Sequence, residues 1–364
     1  MERRYNFNAG PAALPLEVLE QAKEEMTEYG GAGMSLMEMS HRSKPVERMI
    51  AETEELLAEL LELPSGYRIL FMGGGASAQF ALVPMNFLAE GVTGQYVLSG
   101  SFSEKAYEEA RTIGRTNVPA SGKINGWRTL PALRDLQAGV DDDAAYVHLT
   151  TNNTIEGTQF RELPYVGETP LIADMTSELL SRKLDWTKLG MVYAGAQKNL
   201  GPAGVTVAIV RDDLLKRSAE RRIPAIFKYA TFASNDSLYN TPPVHAIYMT
   251  RLVLEWTKRQ GGVAEMARRA ALRTGMLYEA IDRSGGFYAG FAEPDARSLM
   301  NVTWRLTDES LENRFLEEAR RGGFEGLAGH RSVGGLRASA YNAVPVAACE
   351  ALAAFMREFQ RRNG

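Results

Sequence analysis

Short apolar runs alternate with stretches of helical periodicity between residues 67 and 210. The apolar runs predict buried strands at YRILFM, QYVLS, AAYVHLT, PLIAD, MVYAG and GVTVAIV. Ahead of them, apolar residues at helical spacing predict one helix from Leu16, behind Pro15, and another from Pro45 to Leu63. Strands that alternate with helices are typical of an α/β fold, so we expect a mostly parallel sheet flanked by helices.

The pattern changes after a long predicted helix that ends at Gln260. A second helical stretch then leads into predicted strands (LMNVTWRL, LRASAY) and helices (LENRFLEEARR, AACEALAAFMREFQ). A chain of 364 residues also exceeds the size at which one hydrophobic core usually stops growing. We therefore place a domain boundary near Gly261, between a large domain (residues 16–260) and a smaller α+β domain (residues 261–364). Residues 1–15 are expected to pack at the candidate site or on the small domain.

The composition is that of a globular protein without a nucleic-acid or membrane partner. Hydrophobic residues make up 45% and charged residues 24% of the chain, close to globular averages. The 41 Lys and Arg against 45 Asp and Glu give a net charge of −4, so no global basic field attracts nucleic acid or an anionic membrane. An anionic ligand must therefore be bound by local arginines.

The expected compartment is the cytoplasm. The N-terminus, MERRYNFNAGPAALP, lacks the apolar stretch of a signal peptide, and no run reaches the ~18 to 20 residues that span a bilayer. The single cysteine, Cys349, cannot form an internal disulfide, which suits a reducing compartment. Its Ala-rich segment, VAACEALAAF, favours a buried helix position over a nucleophilic one.

Lys198 is the strongest candidate for chemistry. It follows the predicted strand MVYAG and precedes a glycine-rich turn, and ligands of open α/β sheets bind at such strand ends. A lysine amine forms an imine with a carbonyl cofactor when a pocket keeps it partly neutral, and the small neighbours of Lys198 leave room for a ring. The alternative is a solvated lysine in a surface loop.

Asp174 ends another predicted strand, in PLIADMTSELL. A carboxylate at this strand end can face the same cleft as Lys198. Pyridoxal 5′-phosphate needs an anion beside its pyridine nitrogen, because the protonated ring is the electron sink for the substrate carbanion. The pair therefore favours a pyridoxal-phosphate site, although Asp174 could also serve only as a helix N-cap.

Glycine and arginine residues supply candidates for anion binding. The segment ILFMGGGASAQF passes from a strand through glycines into a helix, whose first backbone N–H groups can bind a phosphate. It lacks the Gly-x-Gly-x-x-Gly fingerprint of dinucleotide folds and the ending of a P-loop. Two His-Arg pairs and a nearby arginine suit a substrate with a carboxylate and a phosphate, although single arginines are also common in surface salt bridges. These residues are His41, Arg42, His330, Arg331 and Arg337.

The other histidines and one aromatic residue give weaker signals. His148 and His245 lie in apolar segments and are interpreted as core or interface residues. Phe102 follows the strand QYVLS and could stack on a cofactor ring or simply fill the core. No His, Cys and Asp cluster has the spacing of metal ligands, so no metal is expected.

Five motifs occur in order along the chain: NAGPAALP, SHRS, GGGASAQF, AQKNLGPAG and GHRSVGGLRASAYNAVP. Together they resemble the phosphoserine aminotransferases, pyridoxal-phosphate enzymes of fold type I among the class V aminotransferases. The resemblance extends from about residue 6 to the C-terminus. It implies a large domain with a mostly parallel seven-stranded sheet, a smaller α+β C-terminal domain, and a homodimer with its active sites at the interface.

The resemblance also implies the residues of the site. Lys198 would be the Schiff-base lysine, Asp174 would face the pyridine nitrogen, and Thr154 would contact the side of the ring that bears the 3-hydroxyl group. The implied contacts of the cofactor phosphate are Ala76, Ser77 and Gln197, with Asn240 and Thr241 from the other protomer. The implied contacts of the substrate are His41, Arg42, His330, Arg331 and Arg337, some of them from across the interface, with Arg337 on the carboxylate. The family commonly has Trp where this chain has Phe102, so a smaller ring is available for stacking.

The implied reaction is reversible transfer of the amino group from L-glutamate to 3-phosphonooxypyruvate, which gives O-phospho-L-serine and 2-oxoglutarate in serine biosynthesis. Some family members also act on 4-phosphonooxy-L-threonine in pyridoxine biosynthesis, and the sequence leaves that activity open.

Several alternatives differ from this hypothesis in the residues that they require. An alanine–glyoxylate or serine–glyoxylate aminotransferase of class V would not need two His-Arg pairs. A cysteine desulfurase would need a loop cysteine. A non-catalytic protein that binds phosphorylated metabolites on the same fold would not need Lys198 together with Asp174. A nicotinamide dehydrogenase would need the glycine fingerprint and a ribose-binding acid.

Overall fold

The structure, a computed structural model, describes residues 3–141 and 143–364. Its helices are α1 (Leu16–Glu24), α2 (Lys44–Leu60), α3 (Gly75–Phe87), α4 (Ser101–Arg111), α5 (Leu133–Ala138), α6 (Asp212–Ala219), α7 (Tyr229–Ala233), α8 (Val244–Arg259), α9 (Gly262–Asp282), α10 (Glu312–Arg321) and α11 (Val346–Asn363). Its strands are β1 (Tyr5–Asn6), β2 (Tyr67–Met72), β3 (Thr93–Val97), β4 (Thr116–Asn117), β5 (Ala144–Thr150), β6 (Asn152–Asn153), β7 (Thr158–Gln159), β8 (Leu171–Asp174), β9 (Leu189–Gly195), β10 (Thr206–Arg211), β11 (Tyr288–Gly290), β12 (Asn301–Leu306), β13 (Phe324–Glu325) and β14 (Leu336–Ser339).

A seven-stranded sheet has the strand order β2-β10-β9-β8-β5-β3-β4. Strand β10 runs antiparallel to both β2 and β9, and the other neighbouring strands are parallel. The predicted α/β fold with a mostly parallel sheet is therefore confirmed. Strands β2 and β5 have the bounds of their apolar runs, and β3 begins at Thr93 rather than at Gln95.

Helices cover both faces of this sheet, because its central strands are apolar on each side. All 7 residues of β9 are buried, as a strand between two helical layers requires. On one face, Val147 and Val192 pack in a core with residues of α1, α2 and α8. On the other face, Tyr146 and Tyr193 pack with residues of α3 and α4. The sheet is thus the middle layer of a three-layer α/β/α arrangement.

A second, antiparallel sheet has the order β11-β12-β14 and shares a core with α10 and α11. The N-terminal residues belong to this part of the molecule, because β1 pairs with β13 and Phe7 is buried in the same core. Helix α9 links the two parts, with Met266 in the core of the large sheet and Leu277 in that of the small sheet. A domain boundary near Gly261 stays a prediction. Within the described ranges, no helix combines the length and apolar character that crossing a membrane requires.

Candidate active site

A cavity of about 420 Å³ opens at the edge of the large sheet where β5, β8 and β9 end. Its wall includes Thr150 and Asp174, the last residues of β5 and β8, and Lys198, which follows β9. The predicted site residues that line it are Ala76, Ser77, Phe102, Thr154, Asp174, Gln197, Lys198, His330 and Arg337. The predicted site residues that lie outside its lining are His41, Arg42, Asn240, Thr241 and Arg331.

Lys198 lies in the turn that joins β9 to β10, where backbone hydrogen bonds fix its position. The N–H of Ala196 donates to the carbonyl of Val205 at 3.0 Å, and the N–H of Gly201 donates to the carbonyl of Ala196 at 2.8 Å. The N-terminal segment covers this turn, since a Cβ atom placed on Gly10 would lie 3.4 Å from Cε of Lys198. Gly10 therefore packs its backbone directly on the lysine side chain, and its φ of 144° favours glycine there.

The pKa of Lys198 is lowered from its ordinary value to about 8. Burial is the largest cause, because the cavity wall solvates an ammonium poorly, and the positive charge of Arg337 lowers the pKa further. The negative charge of Asp174 acts in the opposite direction and raises the pKa. A neutral, nucleophilic amine is therefore accessible near neutral pH, as a lysine that binds a carbonyl group requires.

We expect Lys198, in protein freed of carbonyl ligands, to react with amine reagents as a base whose pKa is about 8. Only the neutral amine reacts, so the rate at which trace acetic anhydride acetylates Lys198 should rise as the pH passes 8. The rate should reach its plateau before about pH 10. Mass spectrometry of the peptide that contains Lys198 measures this rate. The control is Lys123, whose pKa is raised by Glu104 and which should need a higher pH. Equal midpoints for the two lysines would contradict the burial argument.

Asp174 brings its carboxylate to the cavity from the end of β8. Its Oδ1 accepts a hydrogen bond from the N–H of Thr176 at 3.0 Å, which fixes the orientation of the side chain. Asp174 is only 5% exposed, and this burial raises its pKa, whereas the hydrogen bonds from Thr176 and the charge of Lys198 lower it. A buried carboxylate of this kind is stabilised when a ligand places a cationic group beside it.

The first turn of helix α3 forms one corner of the cavity, which is lined there by Gly74, Gly75, Ala76 and Ser77. The first N–H groups of a helix have no intrahelical partner, so they can bind an anion such as phosphate. Gly74 has a φ of 90°, and a Cβ atom at this position would collide with the Cβ of Ala78. The turn that leads into α3 therefore requires glycine at this position.

Phe102 forms a wall of the cavity from the first turn of α4. The Nζ atoms of Lys198 and Lys105 lie 5.7 Å and 4.9 Å from the centre of its ring. The start of the helix is held by the buried Glu156, whose Oε1 accepts hydrogen bonds from the N–H and the hydroxyl of Ser101 at 2.8 and 2.6 Å. The ring is thus fixed at a place where a planar ligand can stack on it.

Arg337 and His330 add a positive and a polar side chain to the wall. Nη1 of Arg337 donates to the carbonyl of Thr154 at 2.9 Å. Nδ1 of His330 lies 2.7 Å from Oγ of Ser332 and accepts a hydrogen bond from the N–H of the same residue at 3.2 Å, which favours the neutral tautomer with its proton on Nε2. Burial and nearby positive charges, first among them that of Arg337, lower the pKa of His330 and favour this neutral form. Arg337 can therefore bind an anion by charge, and His330 can bind one as a neutral donor.

A second group of predicted residues, the His41–Thr241 cluster (His41, Arg42, Asn240 and Thr241), lies outside the cavity of its own chain. Oγ1 of Thr241 lies 3.3 Å from Nδ1 of His41, although the two residues are 200 positions apart. Arg42 and Asn240 are exposed. Nε2 of His41 is buried and has no hydrogen-bond partner in the part of the chain that the structure describes. Arg331 is exposed beside His330.

Some residues of the cavity were not named individually by the sequence predictions, which expected only that residues 1–15 as a whole pack at the candidate site or on the small domain. Gly10 reaches the cavity because β1 pairs with β13 and the N–H of Ala12 donates to the carbonyl of Gln197 at 2.9 Å. Its only sequence signal is the motif NAGP. Thr150 pairs in register with Asp174, and both residues end parallel strands. Because ligands of open α/β sheets bind at such strand ends, the argument that indicates Asp174 applies to Thr150 as well.

Two residues interpreted as structural are indeed buried. His148 lies in the core with Nε2 at 2.8 Å from the hydroxyl of Tyr193, and burial lowers its pKa to about 3. Cys349 is buried in α11, and burial raises the pKa of its thiol to about 12, which leaves no reactive thiolate. Across residues 3–141 and 143–364, no group of three or more His, Cys, Asp and Glu could hold a metal ion.

Comparisons with known proteins agree in the family that they indicate. The family described as "Aminotransferase class-V" matches residues 4–352. A phosphoserine aminotransferase from Geobacillus kaustophilus (strain HTA426) is 56% identical over 364 residues, which cover 100% of this chain and 99% of that protein. The structure of phosphoserine aminotransferase from Bacillus circulans subsp. alkalophilus has a TM-score of 0.97 at 53% identity, with 100% of both chains covered. The crystal structure of PLP-bound phosphoserine aminotransferase from Trichomonas vaginalis has a TM-score of 0.91 at 37% identity. The match covers 98% of this chain and 100% of the Trichomonas chain.

Proposed function

The chain belongs to the class V aminotransferase family, and from this premise we propose that it transfers an amino group reversibly from L-glutamate to 3-phosphonooxypyruvate, giving O-phospho-L-serine and 2-oxoglutarate. The observation that carries the proposal is the cavity in which Lys198, with its lowered pKa, lies with Asp174 and Arg337. We choose this substrate because relatives that are 56% and 53% identical over the whole chain are phosphoserine aminotransferases.

The cavity suits pyridoxal 5′-phosphate in each part of that molecule. The N–H groups at the start of α3 fit its phosphate, and the ring of Phe102 fits its planar ring. Asp174 would face the pyridine nitrogen, Lys198 would hold the carbonyl carbon, and Thr154 would contact the side that bears the 3-hydroxyl group. The phosphate contacts that we propose within one chain are Ala76, Ser77 and Gln197.

Bound pyridoxal phosphate supplies an electron sink, because its protonated pyridine ring stabilises the electron pair left when an amino acid loses its α-proton. The carboxylate of Asp174 favours the protonated state of the pyridine nitrogen by its charge. Nζ of Lys198 accepts the α-proton of the amino acid, and a pKa of about 8 suits a base that works near neutral pH.

The two ends of the substrate are bound by different groups. Arg337 binds the α-carboxylate, for which its planar guanidinium offers two parallel donors. His330 donates from Nε2 to the phosphate or to the distal carboxylate of glutamate, and Arg331 adds a positive charge beside it. A site with two anion-binding regions favours a substrate with two anionic groups over alanine, serine or glyoxylate.

The test compares amino donors with the purified protein in the presence of pyridoxal phosphate. Initial rates are measured for O-phospho-L-serine, L-alanine and L-serine, each with 2-oxoglutarate and with glyoxylate. We expect kcat/KM for O-phospho-L-serine with 2-oxoglutarate to exceed that for L-alanine by at least roughly 100-fold, since the smaller donor leaves charged groups unpaired. A preference for the glyoxylate pairs would assign the chain to the alanine–glyoxylate type, and no turnover of any pair would favour a non-catalytic binding protein. The same assay tests 4-phosphonooxy-L-threonine.

We also propose a homodimer in which each chain completes the site of its partner. The His41–Thr241 cluster carries residues of the predicted site, yet it lies outside the cavity of its own chain. Next to it in sequence, Met34 and Met37 are 46% and 54% exposed, and such apolar surface is typical of an interface. A cytoplasmic location is part of the proposal, because the buried Cys349 has no disulfide partner.

A mixture of two inactive variants should recover activity if the site is shared. Lys198→Ala removes the amine of one site, and Arg42→Ala removes an arginine that we assign to the partner's site. After joint unfolding and refolding, half of the dimers contain one chain of each kind, and each of these has one intact site. The mixture should therefore show about a quarter of the wild-type activity, as a symmetric dimer requires. No activity above that of the separate variants would show that Arg42 acts within its own chain.

A further inference from the structure

We propose that Lys105, on the second turn of helix α4, is a further substrate-binding residue that recognises the phosphate group of the phosphorylated substrate. The inference rests on the proposed function and identifies one more cation at the phosphate-binding side of the same site.

The exposed side chain of Lys105 packs on Phe102, three residues earlier on the same helix α4. Its Nζ lies 4.9 Å from the centre of the Phe102 ring, and Phe102 lines the cavity. Glu109 is placed one helical turn later for the usual ion pair between residues i and i+4, but Lys105 turns back toward the start of the helix. Its ammonium is therefore held by a cation–π contact to a ring that lines the cavity, and Nζ of Lys198 lies 5.7 Å from the centre of the same ring.

The other carboxylates near Lys105 on the helix already have partners. Glu104 pairs with Lys123 at 2.7 Å, and Glu108 pairs with Arg111 at 3.0 Å. Lys105 itself makes no ion pair within residues 3–141 and 143–364. An ammonium without a counter-ion, in contact with a ring of the cavity wall, is a favourable site for an anion.

The positive charge of Lys105 acts on His330, which we expect to contact the phosphate. Burial, and after it the positive charges of Arg337 and Lys105, lower the pKa of His330, so the positive field of Lys105 reaches that side chain. His330 offers a neutral donor at Nε2 and Lys105 offers a point charge on a flexible stem. A phosphate carries up to two negative charges, whereas the distal carboxylate of glutamate carries one, so Lys105 contributes more to the phosphorylated substrate.

The test compares Lys105→Gln with Lys105→Arg in the holoenzyme. In Lys105→Gln, KM for O-phospho-L-serine should rise roughly tenfold with kcat within about twofold, because a charge-assisted contact is lost before the chemical step. KM for L-glutamate should change by less than about threefold, and Lys105→Arg should restore most of the loss. Lys123→Gln is the matched control, since it removes the same charge from the same region, but one that Glu104 already neutralises.

A binding measurement separates recognition from catalysis. Calorimetric titration of the holoenzyme with 3-phosphoglycerate, which has a carboxylate and a phosphate but neither an amino nor a keto group, should show the same roughly tenfold weakening in Lys105→Gln. Unchanged KM and unchanged 3-phosphoglycerate binding would overturn the inference, and so would equal losses for both amino donors, since these indicate a structural role. Failure of the proposed function has a different result, because the wild-type protein would then not turn over O-phospho-L-serine at all.

Discussion

Replacing Lys198 with alanine should lower kcat for amino-group transfer by at least about 10⁴-fold. The side chain supplies both the amine that holds the carbonyl carbon of the cofactor and the base that accepts the α-proton at Nζ. No other lysine of the described chain lines the cavity. Steady-state rates with O-phospho-L-serine and 2-oxoglutarate measure the loss.

Two further variants distinguish the loss of the catalytic amine from a general disturbance of the fold. Lys188→Ala removes a lysine that directly precedes β9, where its Nζ donates to the carbonyl of Leu163 at 2.9 Å, and it should keep kcat within a few-fold. Lys198→Arg keeps the positive charge but cannot act as a base, so it should be as inactive as the alanine variant. A well-folded Lys198→Ala protein with more than about a tenth of the wild-type kcat would contradict the assigned role.

Replacing Asp174 with asparagine should lower kcat by roughly 10²- to 10³-fold. The amide has the shape of the carboxylate and can still accept the hydrogen bond from the N–H of Thr176, but it carries no charge. The protonated state of the pyridine nitrogen then loses its stabilising anion, and the electron sink weakens. The loss should appear mainly in kcat, because the contacts to the phosphate and to both ends of the substrate remain.

Asp185→Asn is the matched control for this prediction. Oδ1 of Asp185 accepts a hydrogen bond from the N–H of Thr187 at 3.1 Å, the same local arrangement as in Asp174 and Thr176. Asp185 is exposed, however, and precedes the short 3-10 helix Trp186–Lys188. This variant should keep the wild-type kcat. An Asp174→Asn protein with kcat within about threefold of the wild type would show that the charge of Asp174 is not needed.

The sequence predicts those parts of the fold and site that depend on local patterns. Apolar runs are continuous in β5 and β9 because both faces of these strands are buried, so strand positions and strand ends could be recognised. Asp174 and Lys198 follow from those ends, since parallel strands deliver their last residues to one edge of a sheet. The glycines before α3 are recognisable because a left-handed turn such as that at Gly74 requires them.

Contacts between distant segments could not be predicted from such patterns. Gly10 packs on Lys198 only because β1 pairs with β13 at the other end of the chain, and no periodicity in residues 1–15 indicates that pairing. The approach of Thr241 to His41 likewise depends on tertiary packing. Lys105 has the appearance of an ordinary exposed helix lysine in sequence, and only its position over Phe102 distinguishes it.

The central claim is that this cavity binds pyridoxal phosphate through Lys198 and accepts the amino group of O-phospho-L-serine. The most direct measurement is the absorbance spectrum of the purified protein with pyridoxal phosphate, before and after O-phospho-L-serine is added without any keto acid. We predict that a visible band of the lysine-bound cofactor is present, that O-phospho-L-serine shifts it to the near ultraviolet with release of 3-phosphonooxypyruvate, and that equimolar L-alanine leaves it unchanged. A band that O-phospho-L-serine does not shift, or the absence of any band in the presence of pyridoxal phosphate, would contradict the claim.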